Sequence, residues 1–535
     1  MNTKTGQFNC PATGSRQRIR AALLASLLLT ASAIARSDVV SDWNQVAESL
    51  VVSNPAPPGT YYALVHLAIY DAVNAIDGKH TAYAIHPSAP TDGASQEAAV
   101  AAAAYSMLSQ LLVNQADALD QAYANSLAAI PDGTPKERGI AVGKEVAIAL
   151  LELRKNDHRY EAGSYDFRYE PGDYQATPPG FPNPILPALG RAQPFAIRRG
   201  VDFRAEGPPD LTSVKYTSEF REVKKLGSAT STARTPEQTE IARFYLEGPA
   251  TFWTRNYRNF IEGENLSTSD AARLYAMLST AFADASIACW DSKYYFNSWR
   301  PVTAIQHADT DGNPGTGADP TWEPLAATPP HPEYPSAHAC NTSAMNEVLA
   351  AFYGTREIPM TLTSLVPGTT PHHFNTLEEQ NQEVIEARIL AGFHFRSANV
   401  AGIDLGRRVG RYITARYFLP VESPSSWVSV AGTWSWAMSD SNEFGGAITW
   451  TITSDGHLGG RDATGCDYAG QLRLIDAPSV TYELDLTVTG CPLAGKYSGL
   501  ANKTSGPFND VLHVSVDDGD QRTLGVNLLS ADTPQ

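Results

Sequence analysis

The chain has 535 residues, of which 43% are hydrophobic and 18% are charged, and its formal net charge is −17. This length exceeds the size at which a single hydrophobic core stops growing, so it predicts two or more domains. The acidic charge disfavours nucleic acid and anionic lipid as partners, so any site for an anion must be a local exception to the overall field.

The first 35 residues predict a secretory signal peptide. They hold four basic residues and no acidic residue, followed by an apolar run from Ala21 to Leu29 and small residues that end at Ala35. Cleavage after Ala35 would remove those four positive charges and take the net charge from −17 to −21. The apolar run is too short to span a bilayer, and no later run of about 18 apolar residues follows. We therefore expect a secreted or periplasmic protein without a membrane span, with an uncleaved amphipathic anchor as the alternative.

Four cysteines remain after that cleavage: Cys289, Cys340, Cys466 and Cys491. An even number of cysteines in an oxidising compartment predicts disulfide bonds. Their spacing suggests one bond between Cys289 and Cys340 and another between Cys466 and Cys491, but the sequence alone leaves the connectivity open.

The first part of the mature chain predicts helices. Between Tyr61 and Ile76, apolar residues recur every three or four positions, which indicates a buried helix. Similar patterns, rich in residues of high helix propensity, cover 95–112, 115–129 and 135–155. Residues 157–210 differ, because prolines, glycines and aromatic residues are interleaved there. A long irregular segment inside a compact domain is usually functional, so this one is either a structural arm or a wall of an active-site channel.

Helix signals resume at Thr235, where an N-cap residue precedes a proline at the first helical position. A long, largely apolar helix is predicted from Ala271 to about Asn297. If that helix continued, Lys293 and Arg300 would project from one face, because seven residues are almost two turns.

The segment from Asp309 to Gly315 resembles the start of a calcium-binding loop. Pro314 stands where an EF-hand needs glycine, and no glutamate occupies the twelfth position. We therefore interpret the segment as a turn, with a structural calcium ion as the lesser alternative.

The most informative stretch is His-Pro-Glu-Tyr-Pro-Ser-Ala-His-Ala-Cys at 331–340. Its two prolines stiffen the chain, and Ser336 and Ala337 are small enough for backbone N–H groups to reach a ligand. A helix predicted from Ala337 to Phe352 would place its N-terminal dipole at the same point. Cationic segments lie upstream, at Lys293 to Arg300, and downstream, at Arg388 to His394. The pattern therefore indicates a binding site for a tetrahedral oxyanion.

A further helix is predicted from Gln382 to Tyr417, and it carries Arg388 and His394. Gly392 lies between these two residues and lacks a side chain, so a ligand or another backbone can come close.

Two adjacent histidines, His372 and His373, lie in a loop rich in proline and threonine that precedes this helix. We interpret them as ordinary surface histidines, with a role in a substrate channel as the alternative.

The pattern changes again near residue 425. Residues 447–452, 482–488 and 514–516 alternate between apolar and polar with period two, and Asp-Gly pairs separate such runs. This predicts a small all-β domain, a sandwich or a barrel, joined to the helical part by a linker at 420–426.

Three segments together resemble the signature of the vanadium-dependent haloperoxidase and type 2 phosphatidic acid phosphatase (PAP2) superfamily. They are Lys293-x6-Arg300-Pro301, Pro335-Ser336-Ala337-His338 and Arg388-x3-Gly392-x-His394. The resemblance covers about residues 40–420. It implies a mainly α protein, in which a helical bundle of the haloperoxidase/PAP2 type at 36–420 precedes the small all-β accessory domain at 421–535.

The resemblance also implies a role for each site residue. Three cations would neutralise the charge of a bound oxyanion: Lys293, Arg300 and Arg388. Its oxygens would accept hydrogen bonds from Ser336 and from the backbone N–H of Ala337. His394 would bond to the central atom, which makes it the expected vanadium ligand, and His338 would act as acid or base on the opposite side. His331 is similar in position to a histidine that lies near the vanadate in algal bromoperoxidases, so it is the candidate halide or channel residue.

Two activities use such a binding site. The leading hypothesis is a vanadate-dependent haloperoxidase that oxidises halide, bromide more readily than chloride, with hydrogen peroxide. The alternative is a secreted acid phosphatase, in which phosphate occupies the same site, His394 attacks a phosphomonoester and His338 protonates the leaving oxygen. A third hypothesis is a phosphate- or vanadate-binding protein whose β domain serves adhesion. Oligomerisation is left open.

Two departures from the signature bear on these roles. Ala337 stands in place of the usual glycine, and Ala398 stands where an acidic residue often follows the last histidine by four positions. A carboxylate partner would raise the basicity of His394 and determine its tautomer. We therefore expect Asp404 or a backbone carbonyl to take its place.

Overall fold

The computed structural model describes residues 38–51, 57–421, 430, 432–436, 447–453, 456–476, 481–505, 510–519 and 523–530. The predicted signal peptide lies outside the described residues, as does most of the predicted linker at 420–426. Within the described ranges, none of the helices is both long and apolar enough to cross a bilayer.

The described part of the chain contains thirteen α-helices, which are α1 (Val39–Val51), α2 (Pro58–Asp77), α3 (Gln96–Leu111), α4 (Ala116–Ala128), α5 (Thr134–Leu153), α6 (Val214–Leu226), α7 (Pro236–Phe244), α8 (Pro249–Gly263), α9 (Thr268–Phe296), α10 (Pro301–Gln306), α11 (Ala337–Tyr353), α12 (Leu377–Leu390) and α13 (Arg396–Arg416). Short 3-10 turns lie at Val113–Gln115, Leu189–Arg191, Gly200–Phe203 and Ala308–Thr310. The four helical patterns between residues 61 and 155 correspond to α2, α3, α4 and α5.

Helix α9 is the central element of the bundle. It is 29 residues long, and its many alanines and serines let α2, α11 and α13 all pack against it. The side chain of Ser267 caps its first turn, and Asn297 ends it in the left-handed conformation, with φ of 52°. Arg300 then precedes α10 as its N-cap. The predicted end of this helix at about Asn297 agrees with the structure, and because the helix ends there, Lys293 and Arg300 do not share a helical face.

Two buried aspartates attach extended segments to the central helices. Asp71 of α2 accepts three backbone N–H hydrogen bonds from residues 83–85, at 2.6 to 3.0 Å. Asp284 of α9 accepts three from residues 195–197, at 2.7 to 2.9 Å. Burial raises the pKa of each carboxyl group to about 6, while the donated N–H bonds act in the opposite direction. The second cluster anchors the irregular segment 157–210 to α9.

Helices α11 and α13 approach closely because α13 carries glycine at every fourth position. A Cβ atom at Gly406 would lie 2.0 Å from the carbonyl oxygen of Cys340, and one at Gly402 would lie 2.6 Å from that of Ser336. Only a residue without a side chain fits at such distances. The contact places the beginning of α11, directly after Ser336, beside the beginning of α13, which follows His394.

The predicted single helix from Gln382 to Tyr417 is wrong, because the chain leaves the helix between α12 and α13. Gly392 has φ of +78°, and a Cβ atom there would lie 2.7 Å from the carbonyl oxygen of Gly227. The resulting break puts His394 in the connection between two helices rather than on a helical face.

The described strands form two sheets. Strands β1 (Met360–Leu362) and β2 (His372–Phe374) pair antiparallel. Eight further strands form a closed antiparallel barrel, in the order β10-β3-β4-β5-β6-β7-β8-β9. They are β3 (Gly432–Trp436), β4 (Ile448–Ile452), β5 (His457–Asp462), β6 (Asp467–Asp476), β7 (Thr481–Thr489), β8 (Gly495–Ser505), β9 (Asp510–Asp517) and β10 (Thr523–Ser530). Apolar side chains such as Trp434, Trp450 and Leu484 form its core.

The helical bundle agrees with the sequence-based fold class, but that prediction is wrong for the C-terminal part. This part is a large, closed eight-stranded barrel and not a small domain or a sandwich, since β10 pairs with β3 through Leu529 and Ser435. Only three runs alternate clearly in sequence. In other strands, glycines such as Gly460 and Gly499, which lie against neighbouring backbone, interrupt the alternation. The sequence pattern therefore revealed too few of the strands.

One helix connects the barrel to the bundle. Arg411 of α13 donates a hydrogen bond to the carbonyl oxygen of Gly525 in β10, at 2.6 Å. The same guanidinium donates to Glu347 of α11, at 3.2 Å. The barrel therefore packs behind the helix pair that carries the central motif.

The two predicted disulfides have different outcomes. Cys466 and Cys491 are bonded, with a Cα–Cα distance of 5.0 Å, and link the β5–β6 and β7–β8 connections, which lie at the same end of the antiparallel β6–β7 pair. Cys289 and Cys340 are buried free thiols, so that predicted bond is wrong. Their thiols lie within hydrogen-bonding reach of each other, on facing helices α9 and α11.

The segment Asp309–Gly315 forms a turn. The carboxylate of Asp311 accepts hydrogen bonds from the backbone N–H of Asn313 at 2.7 Å and from the hydroxyl of Thr316 at 2.7 Å. Among the described residues, no group of three acidic, histidine or cysteine side chains could hold a metal ion. The calcium alternative therefore has no support.

The close contact between α11 and α13 predicts that Gly406→Ala destabilises the protein. Overpacking a tight contact costs about 1–3 kcal/mol, and we expect about 2 kcal/mol here because the carbonyl oxygen of Cys340 belongs to a rigid helix. Urea unfolding followed by circular dichroism measures the change. Gly263→Ala is the matched control, since a Cβ there meets nothing within 4 Å; equal stability of the two variants would contradict the prediction.

Candidate active site

A cavity of about 570 Å³ lies where the central motif meets the ends of several helices. Five of the predicted site residues line it: His331, Ala337, His338, Arg388 and His394. The other three, Lys293, Arg300 and Ser336, are completely buried and do not reach the cavity surface. The structure thus brings the three sequence segments together, with two of the three cations in a layer behind the cavity.

His394 has a defined tautomer. Its Nε2 lies 3.1 Å from Nη1 of Arg300, and because arginine only donates hydrogen bonds, Nε2 must accept. Its Nδ1 lies 3.0 Å from Oε1 of Glu333, so this nitrogen carries the proton and donates it to the carboxylate. The backbone N–H of Phe395 donates to the same oxygen, at 2.9 Å. The lone pair of Nε2 is therefore directed at the cationic side of the site.

Glu333 is the functional candidate that the sequence reasoning missed. The expected substitute for the absent acidic residue was Asp404, but its carboxylate accepts from Arg408 at 3.1 Å, so that expectation is wrong. Burial raises the pKa of Glu333 to about 8, and the charges of Arg300 and Lys293 hold it lower than burial alone would. Its only sequence signal was its position within the 331–340 stretch, since no local rule pairs it with His394.

Arg300 ties the central motif to the connection between α12 and α13. Its Nε donates to the carbonyl oxygen of His331 at 2.8 Å, and its Nη1 donates to that of Phe393 at 2.8 Å. Its Nη2 lies 3.0 Å from Nδ1 of His331. The guanidinium is therefore held on three sides, and its positive charge lies against His394.

Lys293 contributes charge and rigidity. Its ammonium donates to the carbonyl oxygens of Pro332 at 2.9 Å and Glu333 at 3.1 Å, and also to that of Pro335. Burial lowers its pKa to about 8. Because three carbonyls take up its three protons, Lys293 holds the proline-rich turn in place and acts on an anion through its charge.

The beginning of α11 supplies small polar groups. The backbone N–H of Ser336 donates to the carbonyl oxygen of Ala398 at 2.9 Å, while the Ser336 hydroxyl is buried without a partner. Ala337 is the first residue of α11 and has no positive φ, so the exchange of glycine for alanine causes no backbone strain. The first amides of a helix lack intrahelical partners and here lie at the cavity.

His338 presents an unpaired nitrogen to the site. The backbone carbonyl of Glu247 accepts a hydrogen bond from its ring, whereas its Nε2 is buried without a partner. Burial and the nearby charge of Arg388 lower the pKa of His338 well below its usual value. The imidazole is therefore neutral, and Nε2 is able to accept a proton at the cavity.

Arg388 is the cation that lines the cavity. Its Nη1 donates to the carbonyl oxygen of Tyr245 at 2.7 Å, and its guanidinium lies 4.8 Å from the centre of the Phe393 ring. Its Nε is buried without a partner. This leaves an N–H group of Arg388 without a protein acceptor beside the cavity.

His372 is not a surface histidine, so that interpretation is wrong. Its two ring nitrogens lie 2.7 Å from the carboxylates of Glu240 and Glu383, and its ring stacks on Phe244 at 3.8 Å. These carboxylates raise its pKa against the effect of burial. The hydroxyl of Tyr245 donates to Glu383 at 3.0 Å. His372 and its two carboxylate partners therefore support Tyr245, whose carbonyl accepts from Arg388, but they do not line the cavity themselves.

These residues fit a tetrahedral oxyanion. Among the described residues, three buried polar atoms of the site have no hydrogen-bond partner: Ser336 Oγ, His338 Nε2 and Arg388 Nε. Three buried cations supply the compensating charge. Vanadate, with His394 as its ligand, and phosphate both satisfy such a site, because each is a tetrahedral oxyanion.

We expect Glu333→Ala to weaken orthovanadate binding by about 10–100-fold, because loss of a partner that orients a ligating histidine typically has that effect. Glu333→Gln should retain most of the affinity, since its carbonyl oxygen still accepts from His394. Isothermal titration calorimetry measures the dissociation constants. Asp404→Ala is the control and should leave binding unchanged; a loss as large as that of Glu333→Ala would contradict the assignment.

Oxyanion affinity should fall as the pH rises above about 8. The charged form of Lys293 attracts the anion, and its pKa of about 8 in the anion-free site means that it loses its proton from that pH upwards. Glu333, with a pKa of about 8, gains negative charge over the same range and acts in the same direction. Sulfate is a suitable probe because its own charge stays constant. Its dissociation constant should rise with pH above this range, by up to about tenfold per pH unit for each proton linked to binding, and a flat profile would contradict the prediction.

The helical region matches known proteins. Residues 273–422 match a protein-family model described as the VCPO second helical-bundle domain. The vanadium chloroperoxidase of Curvularia inaequalis is 28% identical to this chain over 404 residues. That match covers 59% of this chain and 65% of the relative, so the chain spans less than two thirds of the length of this curated protein.

Two solved bacterial structures share the fold. The structure described as the first bacterial vanadium-dependent iodoperoxidase has a TM-score of 0.60 and 24% identity, and the alignment covers 70% of this chain and 94% of that one. A holo-type bacterial vanadium-dependent chloroperoxidase has a TM-score of 0.54 and 18% identity, with 69% and 94% covered. The family match at 273–422 contains all the predicted site residues, and the helical region of this chain is similar in sequence to a vanadium chloroperoxidase.

Proposed function

We propose that the protein is a vanadate-dependent haloperoxidase, which uses hydrogen peroxide to oxidise a halide ion. The observation that carries this proposal is His394, whose Nδ1 donates its proton to Glu333 and whose Nε2 accepts from Arg300, with the charges of Lys293 and Arg388 also acting on the ring. The relative with 28% identity is named a vanadium chloroperoxidase, which supports the same reading.

The chain's own residues have definite tasks in this reaction. Bound at His394, vanadate supplies a Lewis-acid centre that polarises the O–O bond of peroxide. Arg300 and Lys293 draw negative charge away from that centre, and Arg388 offers its free N–H. His338 accepts a proton at Nε2, since this nitrogen is neutral and unpaired.

The second candidate is a phosphomonoesterase, and the position of His338 is the observation that favours it. His338 and His394 both line the cavity, so one histidine could attack phosphorus while the other protonates the leaving oxygen. The leaving alcohol would then occupy the same cavity. This candidate ranks second because the sequence relative is named a peroxidase.

For the halide, we propose bromide ahead of chloride. His331 supports this choice: it lines the cavity, contacts Arg300 at 3.0 Å and lies with its ring 5.2 Å from that of Trp290. A histidine between a cation and an aromatic ring offers a weakly hydrated place that suits a large, polarisable halide. Competition between bromide and chloride at equal concentration tests the order.

We also propose that the protein is exported to an oxidising compartment. The basic, apolar and small-residue order of the first 35 residues supports export. The bond between Cys466 and Cys491 is consistent with it, because structural disulfides persist in such compartments.

A paired assay on the protein loaded with orthovanadate tests the function. We expect peroxide- and bromide-dependent bromination of an activated diketone, and little release of phosphate from an aryl phosphate in the vanadate-free protein. His394→Ala should abolish bromination, because it removes the expected vanadium ligand. His373→Ala, at an exposed histidine, is the matched control and should leave the rate unchanged.

The other results of this assay are equally informative. Phosphate release that vanadate inhibits, without bromination, would replace the haloperoxidase by the phosphatase. Oxyanion binding without turnover in either arm would favour the binding protein.

A further inference from the structure

The cavity is far larger than its proposed small substrates require. Its volume is about 570 Å³, whereas a water molecule in the liquid occupies about 30 Å³ and a peroxide or halide is of similar size. Pockets that bind drug-sized organic molecules measure about 300–1,000 Å³. We propose that the cavity binds an uncharged, largely apolar organic molecule, with a hydroxyl or carbonyl oxygen, and that this molecule is halogenated there. The inference rests on the proposed haloperoxidase function.

The cavity walls are apolar. Seven large apolar side chains line it, which are Ile185, Leu186, Leu189, Leu246, Phe282, Trp290 and Phe393. They come from the irregular segment, from the α7–α8 connection, from α9 and from the α12–α13 connection. An apolar molecule bound among them would remove this surface from water, which is favourable in proportion to the area covered.

The walls offer no free charge to a charged ligand. Apart from the site residues His331, His338, Arg388 and His394, the ionisable side chains on the described lining are Glu247 and Tyr245. Glu247 binds Arg255 at 2.8 Å and the backbone N–H of Leu365 at 3.0 Å. The Tyr245 hydroxyl donates to Glu383. A charged group on the ligand would lose its hydration without a partner, which is costly.

A residue of the wall carries a hydrogen-bond donor that has no partner among the described residues, and from it we infer an oxygen on the ligand. This donor is the buried indole Nε1 of Trp290, a residue that lines the cavity. A buried donor usually has an acceptor. A hydroxyl or carbonyl oxygen would satisfy it, and the Trp290 ring would pack against an aromatic or unsaturated ligand.

The proposed halogenation of the organic molecule consumes only peroxide, halide and a proton besides that molecule. An organic C–H bond, one halide ion, one hydrogen peroxide and one proton give a C–halogen bond and two water molecules. The halide loses two electrons, which reduce the O–O bond of peroxide, and the proton that leaves carbon ends in water. An apolar enclosure keeps water from the oxidised halogen, so the bound acceptor reacts before that halogen escapes.

The test separates binding from turnover. A naphthol is the uncharged probe and the corresponding naphthol sulfonate is its charged counterpart, both titrated by calorimetry without peroxide. The protein is loaded with orthovanadate so that the sulfonate cannot occupy the oxyanion site. We expect the naphthol to bind at least about tenfold more tightly than the sulfonate, since pocket contacts of this size discriminate by about 10–200-fold.

A wall variant identifies the cavity as the binding place. Ala250 lines the cavity near the start of α8. Ala250→Phe should weaken naphthol binding about tenfold or more by filling the space, and an orthovanadate affinity within about twofold would show that the variant is folded. Ala124→Phe, at an exposed position of α4, is the matched control and should change nothing.

Turnover then completes the test. The readout is the ratio of the bromination rate of the naphthol to that of its sulfonate. With peroxide and bromide, we expect this ratio to be at least about tenfold higher for the enzyme than for reagent hypobromite. Bromination without naphthol binding, and with the selectivity of free hypobromite, would overturn this inference and leave the haloperoxidase function intact. Naphthol binding that Ala250→Phe weakens, without bromination of any acceptor, would overturn the haloperoxidase function and leave only a binding site.

Discussion

Positive charge buried around one histidine nitrogen is the constraint on which the rest of the site depends. Lys293, Arg300 and Arg388 are each at most 2% exposed, and charge removed from water is costly unless it is compensated. Backbone carbonyl oxygens accept hydrogen bonds from all three cations, and the Glu333 side chain supplies an acceptor oxygen for His394. The same hydrogen bonds determine where each cation lies, so a bound oxyanion meets charge that is already organised. A site that attracts anions can therefore exist in a chain of net charge −17.

This arrangement requires several chain ends to meet at one point. The carbonyls that bind Lys293 belong to the turn before α11, and those that bind Arg300 belong to that turn and to the break between α12 and α13. Glycine in α13 lets it lie directly against α11, and Gly392 lets the chain leave α12. Residues with side chains at these positions would separate the groups that compensate the charge, so packing and electrostatics depend on each other.

The second feature of the site is the contrast between its polar end and its apolar walls. The irregular segment 157–210, which is anchored to α9 by Asp284, supplies part of the wall. Its composition allowed a structural arm or a wall of the site, and the segment has both features, since it is anchored to α9 and also contributes to the cavity lining. A protein that only needed to admit peroxide and halide would have little use for so large an apolar surface, which is why we infer an organic acceptor inside it.

The sequence by itself determined much of the helical region and of the site's composition. The periodicity of α2 to α5, the caps of α7 and α9 and the start of α11 are local signals, because they depend on neighbouring residues. The three motif segments contain all three cations, His338, His394 and Ser336, so the sequence alone identified these site residues. Tertiary structure alone decided the rest: that Glu333 and not Asp404 orients His394, that Gly392 divides a predicted helix, that Cys289 and Cys340 stay free, and that β3 and β10 close a barrel. Each of these depends on contacts between residues far apart in the chain, and such contacts arise from packing, which local sequence does not encode.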